Sequence, residues 1–234
     1  MQETKTPTGM RIERGTMRNQ PDNRTDDSNI VEKPAEQYFS AVPTSQDVRR
    51  HLLVSLRGHK VDVEVSNGVF ASHRVDLGTS VLLRQAPQAP GNGTFLDIGC
   101  GWGPITLAMA LESPEAEVWA LDINERALDL TATNARNLGL DHVHTGVAMD
   151  IPADLTFDLI WSNPPIRVGK EELHILLMSW LPRLKVGGYA YLVVQKNLGS
   201  DSLIKWLDAE LGEEFTVGKY ASSKGYRIIE VSRN

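Results

Sequence analysis

From Thr94 onward the chain alternates between two hydrophobic rhythms. Short runs rich in β-branched and aromatic residues, "TFLDIG", "EVWALD", "HVHTGVA", "FDLIWS" and "GYAYLVVQ", read as strands. After most of them the apolar positions recur at helical spacing, which predicts helices over 104–111, 125–137, 170–184 and 201–211. Pro104 suits the first turn of its helix, and Gly139 marks a stop. Two final runs, 214–220 and 226–231, flank a short turn at 223–225 and read as an antiparallel pair. Regular strand–helix alternation predicts an α/β protein. Its sheet is doubly wound, mostly parallel and seven-stranded, with ligands held outside the strand C-termini.

Upstream the pattern changes. Thr44 or Ser45 can cap a helix running to Arg57, with Gly58 as its stop. Val61, Val63 and Val65 alternate, which predicts a strand. Asn67-Gly68 reads as a hairpin turn, with "VFASHRV" as the return strand. A short helix is expected after Asp76. Residues 1–36 are polar and show no apolar period, so they are expected to be a disordered tail. The division that follows is 1–36 tail, 37–75 helix-plus-hairpin extension, and 76–234 main domain.

Charge and cysteine content narrow the picture. The formal net charge is -6, distributed as -1 over residues 1–40, -7 over 41–160 and +2 over 161–234. An acidic middle argues against a protein that simply coats nucleic acid, while the mildly basic last third suits a polyanionic substrate on one face. The single cysteine, Cys100, excludes a disulfide framework and fits a reducing cytoplasm. No secretory signal and no membrane-spanning run is expected, and the location expected is cytoplasmic.

Candidate chemistry gathers at three strand ends. "FLDIGCGWGP" carries Asp97, Gly99, Gly101 and Gly103. Glycines there allow a sharp strand-to-helix turn and a close backbone approach to a ligand. The spacing is not that of a nicotinamide loop, which needs glycine where Pro104 stands, and the Asp97 carboxylate would repel a diphosphate. Asp122, in "WALDIN", follows at the distance at which an acid accepts hydrogen bonds from ribose hydroxyls, with Ile123 beside it. Asp150, in "VAMDIP", is placed to meet an adenine amino group or simply to form a turn. The third end is "DLIWSNPPIRVG". Pro164 and Pro165 have no backbone N–H, so the turn after Asn163 is rich in acceptors and poor in donors. His142 and His144 share a strand face without a third ligand, so no metal is expected. Trp102, Trp161 and Cys100 are expected to be packing residues.

"DIGCGWG" followed by "LDIN" resembles the class I S-adenosylmethionine-dependent methyltransferases, a Rossmann-like family. The resemblance implies that Asp97, Gly99, Gly101 and Gly103 wrap the cofactor, that Asp122 and Ile123 hold its ribose and adenine side, and that Asp150 closes the adenine end. It also implies that "SNPP", with Asn163, Pro164 and Pro165, forms the catalytic motif for transfer to a planar nitrogen. Such nitrogens are poor nucleophiles, because their lone pair is delocalised. Acceptors on their N–H groups would free that pair and stabilise the charge that develops on transfer. The fourth motif position, usually aromatic, is Ile166; it and Arg167 are the candidate substrate contacts.

"NGVFASHRVDLGTSVLL" further resembles the segment before the cofactor loop in the "methyltransferase small" family, which includes ribosomal-RNA guanine-N2 methyltransferases. This adds Asp76, Gly78 and Thr79 to the cofactor side, and Phe70 as the aromatic of the G-V-F segment. Only 66 residues precede Asn67, so the second, N-terminal domain of the best-known members is expected to be absent. The leading expectation is therefore an N-methyltransferase acting on guanine N2 of ribosomal RNA, with a ribosomal subunit or its RNA as partner. Arg167, Lys170, Lys196, Lys219 and Lys224 are candidate phosphate contacts. The alternatives are a protein-glutamine or small-molecule N-methyltransferase, and a non-catalytic ribosome-associated module that keeps the cofactor fold.

Overall fold

The computed structural model describes residues 45–234. The expected tail at 1–36 and the first residues of the expected extension lie outside these. Nine strands and five α-helices follow in the order β1 (Arg49–Leu56), β2 (His59–Ser66), α1 (Leu77–Gln85), β3 (Asn92–Ile98), α2 (Pro104–Glu112), β4 (Glu115–Leu121), α3 (Glu125–Asn137), β5 (Val143–Gly146), β6 (Phe157–Ser162), α4 (Lys170–Trp180), β7 (Leu184–Gln195), α5 (Ser200–Leu211), β8 (Phe215–Ser223) and β9 (Tyr226–Arg233).

Seven strands form one sheet in the order β5-β4-β3-β6-β7-β9-β8. The first five of these pair parallel, and β9 runs antiparallel to both β7 and β8. From β3 the chain first winds outward through β4 to β5. It then returns to the other side of β3 and winds through β6 to β7. The loops after β3 and β6 therefore diverge, and a crevice opens between them at the strand C-termini.

Each face of the sheet carries its own core, which explains the strand sequences. β3 is buried on both sides: Phe95 belongs to the cluster covered by the β1–β2 hairpin and α1–α3, and Leu96 and Ile98 to the cluster covered by α4 and α5. A doubly covered strand reads as a continuous apolar run. β6 divides in the same way, with Leu159 and Trp161 in the first cluster and Phe157 and Ile160 in the second.

Two expectations upstream are corrected. The helix expected to end at Arg57 is strand β1. Its burial alternates residue by residue, ending on the fully buried Leu56. β1 pairs antiparallel with β2, with Leu56 opposite His59. The hairpin turn is thus Arg57-Gly58, with φ of 48° and 94°, the double positive φ that a two-residue turn of matching twist requires. The Arg57 guanidinium overcomes its strained backbone by bonding Glu112 at 2.6 Å, Leu83 O at 2.5 Å and Ala86 O at 3.2 Å. It ties the hairpin tip to the ends of α1 and α2. The second correction concerns "VFASHRV", which is a series of turns and not a strand. Its backbone is held by the glycine loop and its neighbours: Asn124 Nδ2 donates to Gly68 O at 2.8 Å and Trp102 Nε1 to Ala71 O at 3.2 Å. This stretch crosses from the hairpin to the crevice and delivers Asp76.

Candidate active site

The loop after β3 is fixed from both sides. Gly99 and Cys100 donate their N–H groups to Leu121 O, at 2.8 and 3.0 Å, which binds the loop to the end of β4. Ser162 Oγ donates to Ile98 O at 2.7 Å, which binds it to the end of β6. Gly103 combines a φ of 96° with a close neighbour: a Cβ there would lie 3.0 Å from Thr131 Oγ1. Either feature alone disfavours a side chain.

Asp97 stands at the base of this loop and is fully buried. Its Oδ2 accepts from Thr106 N at 3.0 Å and Thr106 Oγ1 at 2.6 Å. Thr106 is the third residue of α2, whose N-cap is Gly103 and has no side chain to offer. Asp97 therefore supplies the missing cap from the preceding strand. Burial pushes its carboxyl up to about 7, the Thr106 hydrogen bonds oppose that, and the charge of Asp122 adds to it. Its Oδ1 is buried with no partner among the described residues.

Asp122 follows β4. Its Oδ2 accepts from Gly101 N and its Oδ1 from Asn124 N, both at 3.0 Å. Burial raises its pKa against those bonds. Carboxylate oxygens accept more than one hydrogen bond each, so Asp122 retains acceptor capacity. Ile123 beside it is 54% exposed, an apolar surface at the rim. Asp150 is exposed and accepts from Val147 N at 3.0 Å, so its carboxylate closes its own turn. Cys100 is buried, and burial, with the charges of Asp122 and Asp97, pushes its thiol up, away from the thiolate form. His144 pairs with Glu117 at 2.5 Å and stacks on Trp119. Among the described residues no three His, Cys, Asp or Glu side chains could hold a metal.

Across the crevice lies Asn163. Its Nδ2 donates to Asp76 Oδ2 at 3.0 Å and to Thr79 Oγ1 at 3.1 Å. Asp76 caps α1, accepting from Gly78 N at 2.7 Å and Thr79 N at 3.3 Å on the same oxygen. An ionised carboxylate only accepts, so the NH2 side of the amide must face it. The Asn163 donors are thereby engaged, and Oδ1 is left without a donor of its own amide to meet. The Pro164 carbonyl accepts from Ile166 N at 2.8 Å in a tight turn at Pro165 (φ −75°, ψ 73°). That uses the nearest backbone donor and leaves one carbonyl lone pair. The two sides of the crevice come close at Gly99, where an added Cβ would lie 3.9 Å from Pro165 Cδ and 4.0 Å from Asn163 O.

Gly78 is the tightest point. A Cβ there would lie 2.9 Å from Tyr226 Cε1, 3.0 Å from Asp76 Oδ2 and 3.3 Å from Asn163 Oδ1. Ile166 is half-buried and packs onto the second core, beneath α4 and α5. Arg167 is exposed beside it.

Sequence reasoning assigned no site role to Tyr226, Asn124, Thr106 or Thr131. Asn124, fully buried and capping α3, carries a legible cap signal in "INERA". Thr106 and Thr131 act through neighbours in space. Tyr226 lies far along the chain from Asn163, and no local pattern marks it.

A glycine loop braced by buried acids, opposite an acceptor-rich Asn-Pro-Pro turn at a topological switch point, defines a Rossmann-like methyltransferase that uses S-adenosylmethionine. The chain belongs to the methyltransferase small domain family, whose model matches residues 60–230. It is 32% identical over 202 residues to the uncharacterized protein YbxB of Bacillus subtilis, covering 85% of this chain and 99% of that one. It is 32% identical to ribosomal RNA small subunit methyltransferase C of Shewanella loihica, covering 69% of this chain and 46% of that one. To ribosomal RNA large subunit methyltransferase G of Shewanella putrefaciens it is 34% identical, covering 58% and 39%. The chain thus spans less than half the length of these two named relatives. Among solved structures, the T. thermophilus 16S rRNA N2 G1207 methyltransferase RsmC, in complex with AdoMet and guanosine, superposes with a TM-score of 0.66. It is 22% identical, covering 81% of this chain and 52% of that one. A ribosomal protein L11 methylase from Lactobacillus delbrueckii superposes with a TM-score of 0.54 at 21% identity, covering 72% and 83%. At these identities the likeness speaks for the fold, and one fold serves both RNA and protein acceptors.

Proposed function

We propose that this chain transfers a methyl group from S-adenosylmethionine to an exocyclic amine of a nucleobase, guanine N2 of ribosomal RNA. The observation that carries the reading is the Asn163 amide. It is clamped by Asp76 and Thr79 so that its donors are engaged and its oxygen is left over. The cofactor supplies an electrophilic methyl carbon. On the cofactor side, Gly99, Gly101 and Gly103 offer backbone without side chains, and Asp122 offers remaining acceptor capacity for ribose hydroxyls. On the acceptor side, Asn163 Oδ1 and the Pro164 carbonyl accept the two N–H groups of the amine. They hold its lone pair out of the ring plane and toward the methyl carbon. With the cofactor bound, the nitrogen pair would form the N–C bond and the C–S pair would leave with the sulfur. The proton on nitrogen then passes to solvent, so no strong base is required.

A base paired in RNA must leave its stack to reach this turn. Arg167 and Lys170 after β6, Lys196 after β7 and Lys224 in the β8–β9 turn are exposed at the same end of the sheet, where they can meet phosphates. Lys219 sits within the edge strand β8 and is left out of this group.

The test is transfer of a labelled methyl group to ribosomal subunits, naked ribosomal RNA, release factors and small amines, followed by identification of the modified nucleoside. N2-methylguanosine in RNA is the expected product. Methylated glutamine, or no transfer to RNA at all, would overturn the reading. Asn163→Ala is expected to lower turnover by about 10²- to 10³-fold, while calorimetry finds the cofactor affinity nearly unchanged.

A further inference from the structure

We propose that Tyr226 forms the aromatic wall of the acceptor site, on which the planar ring bearing the target amine stacks. This rests on the base-amine reading above and adds a residue to it. The motif that presents Asn163 offers no π face of its own, because its fourth residue is Ile166, whose side chain packs down onto the second core. Tyr226 comes from the opposite side. It opens β9 and pairs with Gln195 at the end of β7, at the same end of the sheet as Asn163. One edge of its ring packs onto the first core. Cε1 approaches the point above Gly78 to 2.9 Å, and Asn163 Oδ1 lies 3.3 Å from that same point. The ring edge and the amide oxygen therefore crowd the same glycine, Gly78. Ile166 packs onto one core and Tyr226 onto the other, on opposite sides of the sheet. A flat ring donating its amine to Asn163 Oδ1 finds its aromatic surface on the Tyr226 side.

Two further observations fit. Gly78 leaves the room that the ring occupies; any side chain there would displace Tyr226 or the Asp76–Asn163 clamp. The phenol is also electrostatically placed between Asp76 and Arg167. Burial, and then Asp76, raise its pKa, and Arg167 opposes them. The hydroxyl thus stays neutral within electrostatic reach of both charges.

Three variants and one spectroscopic probe test this. Tyr226→Phe keeps the ring and is expected to keep turnover and the acceptor KM. Tyr226→Leu is expected to raise the RNA KM roughly tenfold or more, the range for loss of one base–aromatic stack, with S-adenosylmethionine affinity within about twofold by calorimetry. Adding Ile166→Phe to Tyr226→Leu restores an aromatic at the fourth motif position and is expected to recover part of the loss. In the wild-type protein, with ring-labelled tyrosine and S-adenosylhomocysteine present, guanosine is expected to shift the Tyr226 ring resonances upfield, and ribose 5-phosphate to leave them in place. An unchanged RNA KM in Tyr226→Leu, an equal loss of cofactor affinity, or no guanosine-induced shift overturns the proposal. The spectroscopic arm needs no variant to fold. Ring shifts without methyl transfer to RNA would defeat the base-amine function while leaving Tyr226 as a wall for a planar ligand. Transfer to RNA without ring shifts would do the reverse.

Discussion

Two carboxylates brace the two sides of the crevice, and the contrast between them shows how the site is assembled. Asp122 holds the cofactor side. Both its oxygens accept backbone N–H groups, from Gly101 and Asn124, in loops that adjoin it in the sheet. Asp76 holds the acceptor side. One oxygen caps α1 and also grips Asn163, 87 positions away along the chain. The first clamp shapes backbone and the second orients a side chain. It follows that the cofactor side is set by neighbouring strand ends. The acceptor side exists only once the crossing segment 67–76 has been laid over the sheet.

Removing Asp76 should break this division most severely. In Asp76→Ala the Asn163 amide keeps only Thr79 as a fixed partner and can turn its NH2 group toward the acceptor. Turnover is expected to fall by about 10²- to 10³-fold, as when a preorganised polar contact to a developing charge is lost. Loss of the α1 cap should lower stability by about 1 kcal/mol. Steady-state kinetics beside a denaturant titration separates the two effects. A turnover loss no larger than the stability change predicts would mean that Asp76 matters only as a cap. Asp122→Ala should give the opposite split. Cofactor affinity is expected to fall by about 10- to 100-fold, on the order of one or two hydrogen bonds to a charged group, with turnover at saturating cofactor much less affected. Calorimetry checks this, and a variant that binds as tightly as wild type would remove Asp122 from the site.

The same division explains what could be read from the sequence. The strand–helix alternation from β3 onward was legible because burial on two faces imposes continuous apolar runs, as in "TFLDIG", and α3 announces both its cap and its stop. The glycine loop, Asp122 and the Asn-Pro-Pro turn were legible because their chemistry is local: positive φ, acids at strand ends, and a turn without donors. The β1–β2 hairpin was not. "RRHLLVSL" fits either period, and its outcome is decided by pairing with Val61, Val63 and Val65 and by Arg57, whose guanidinium finds Glu112 and the end of α1. Likewise Asn67-Gly68 makes a turn but no hairpin, because Asn124 and Trp102 take up the backbone that follows it. Tyr226 joins Gly78 and Asn163 only in three dimensions.

A pH dependence separates bracing from binding within the cofactor side itself. Asp97 lies below Asp122 and caps α2 through Thr106, and burial has pushed its carboxyl up to about 7. In the unfolded chain the group titrates near its ordinary value, about 3.9. Between those values the folded state holds the proton and the unfolded state does not, so folding stability falls as pH rises through this window and levels off above the folded value. One proton sets a ceiling of roughly 1.4 kcal/mol per pH unit on the slope. Asn at this position still offers an oxygen to Thr106 but cannot ionise. The stability difference between wild type and Asp97→Asn, followed by denaturant titration from pH 4 to 8, should therefore decline toward pH 7 and then flatten. A difference independent of pH would mean that the folded carboxyl titrates at its ordinary value, and that its hydrogen bonds to the α2 N-terminus outweigh the cost of its burial.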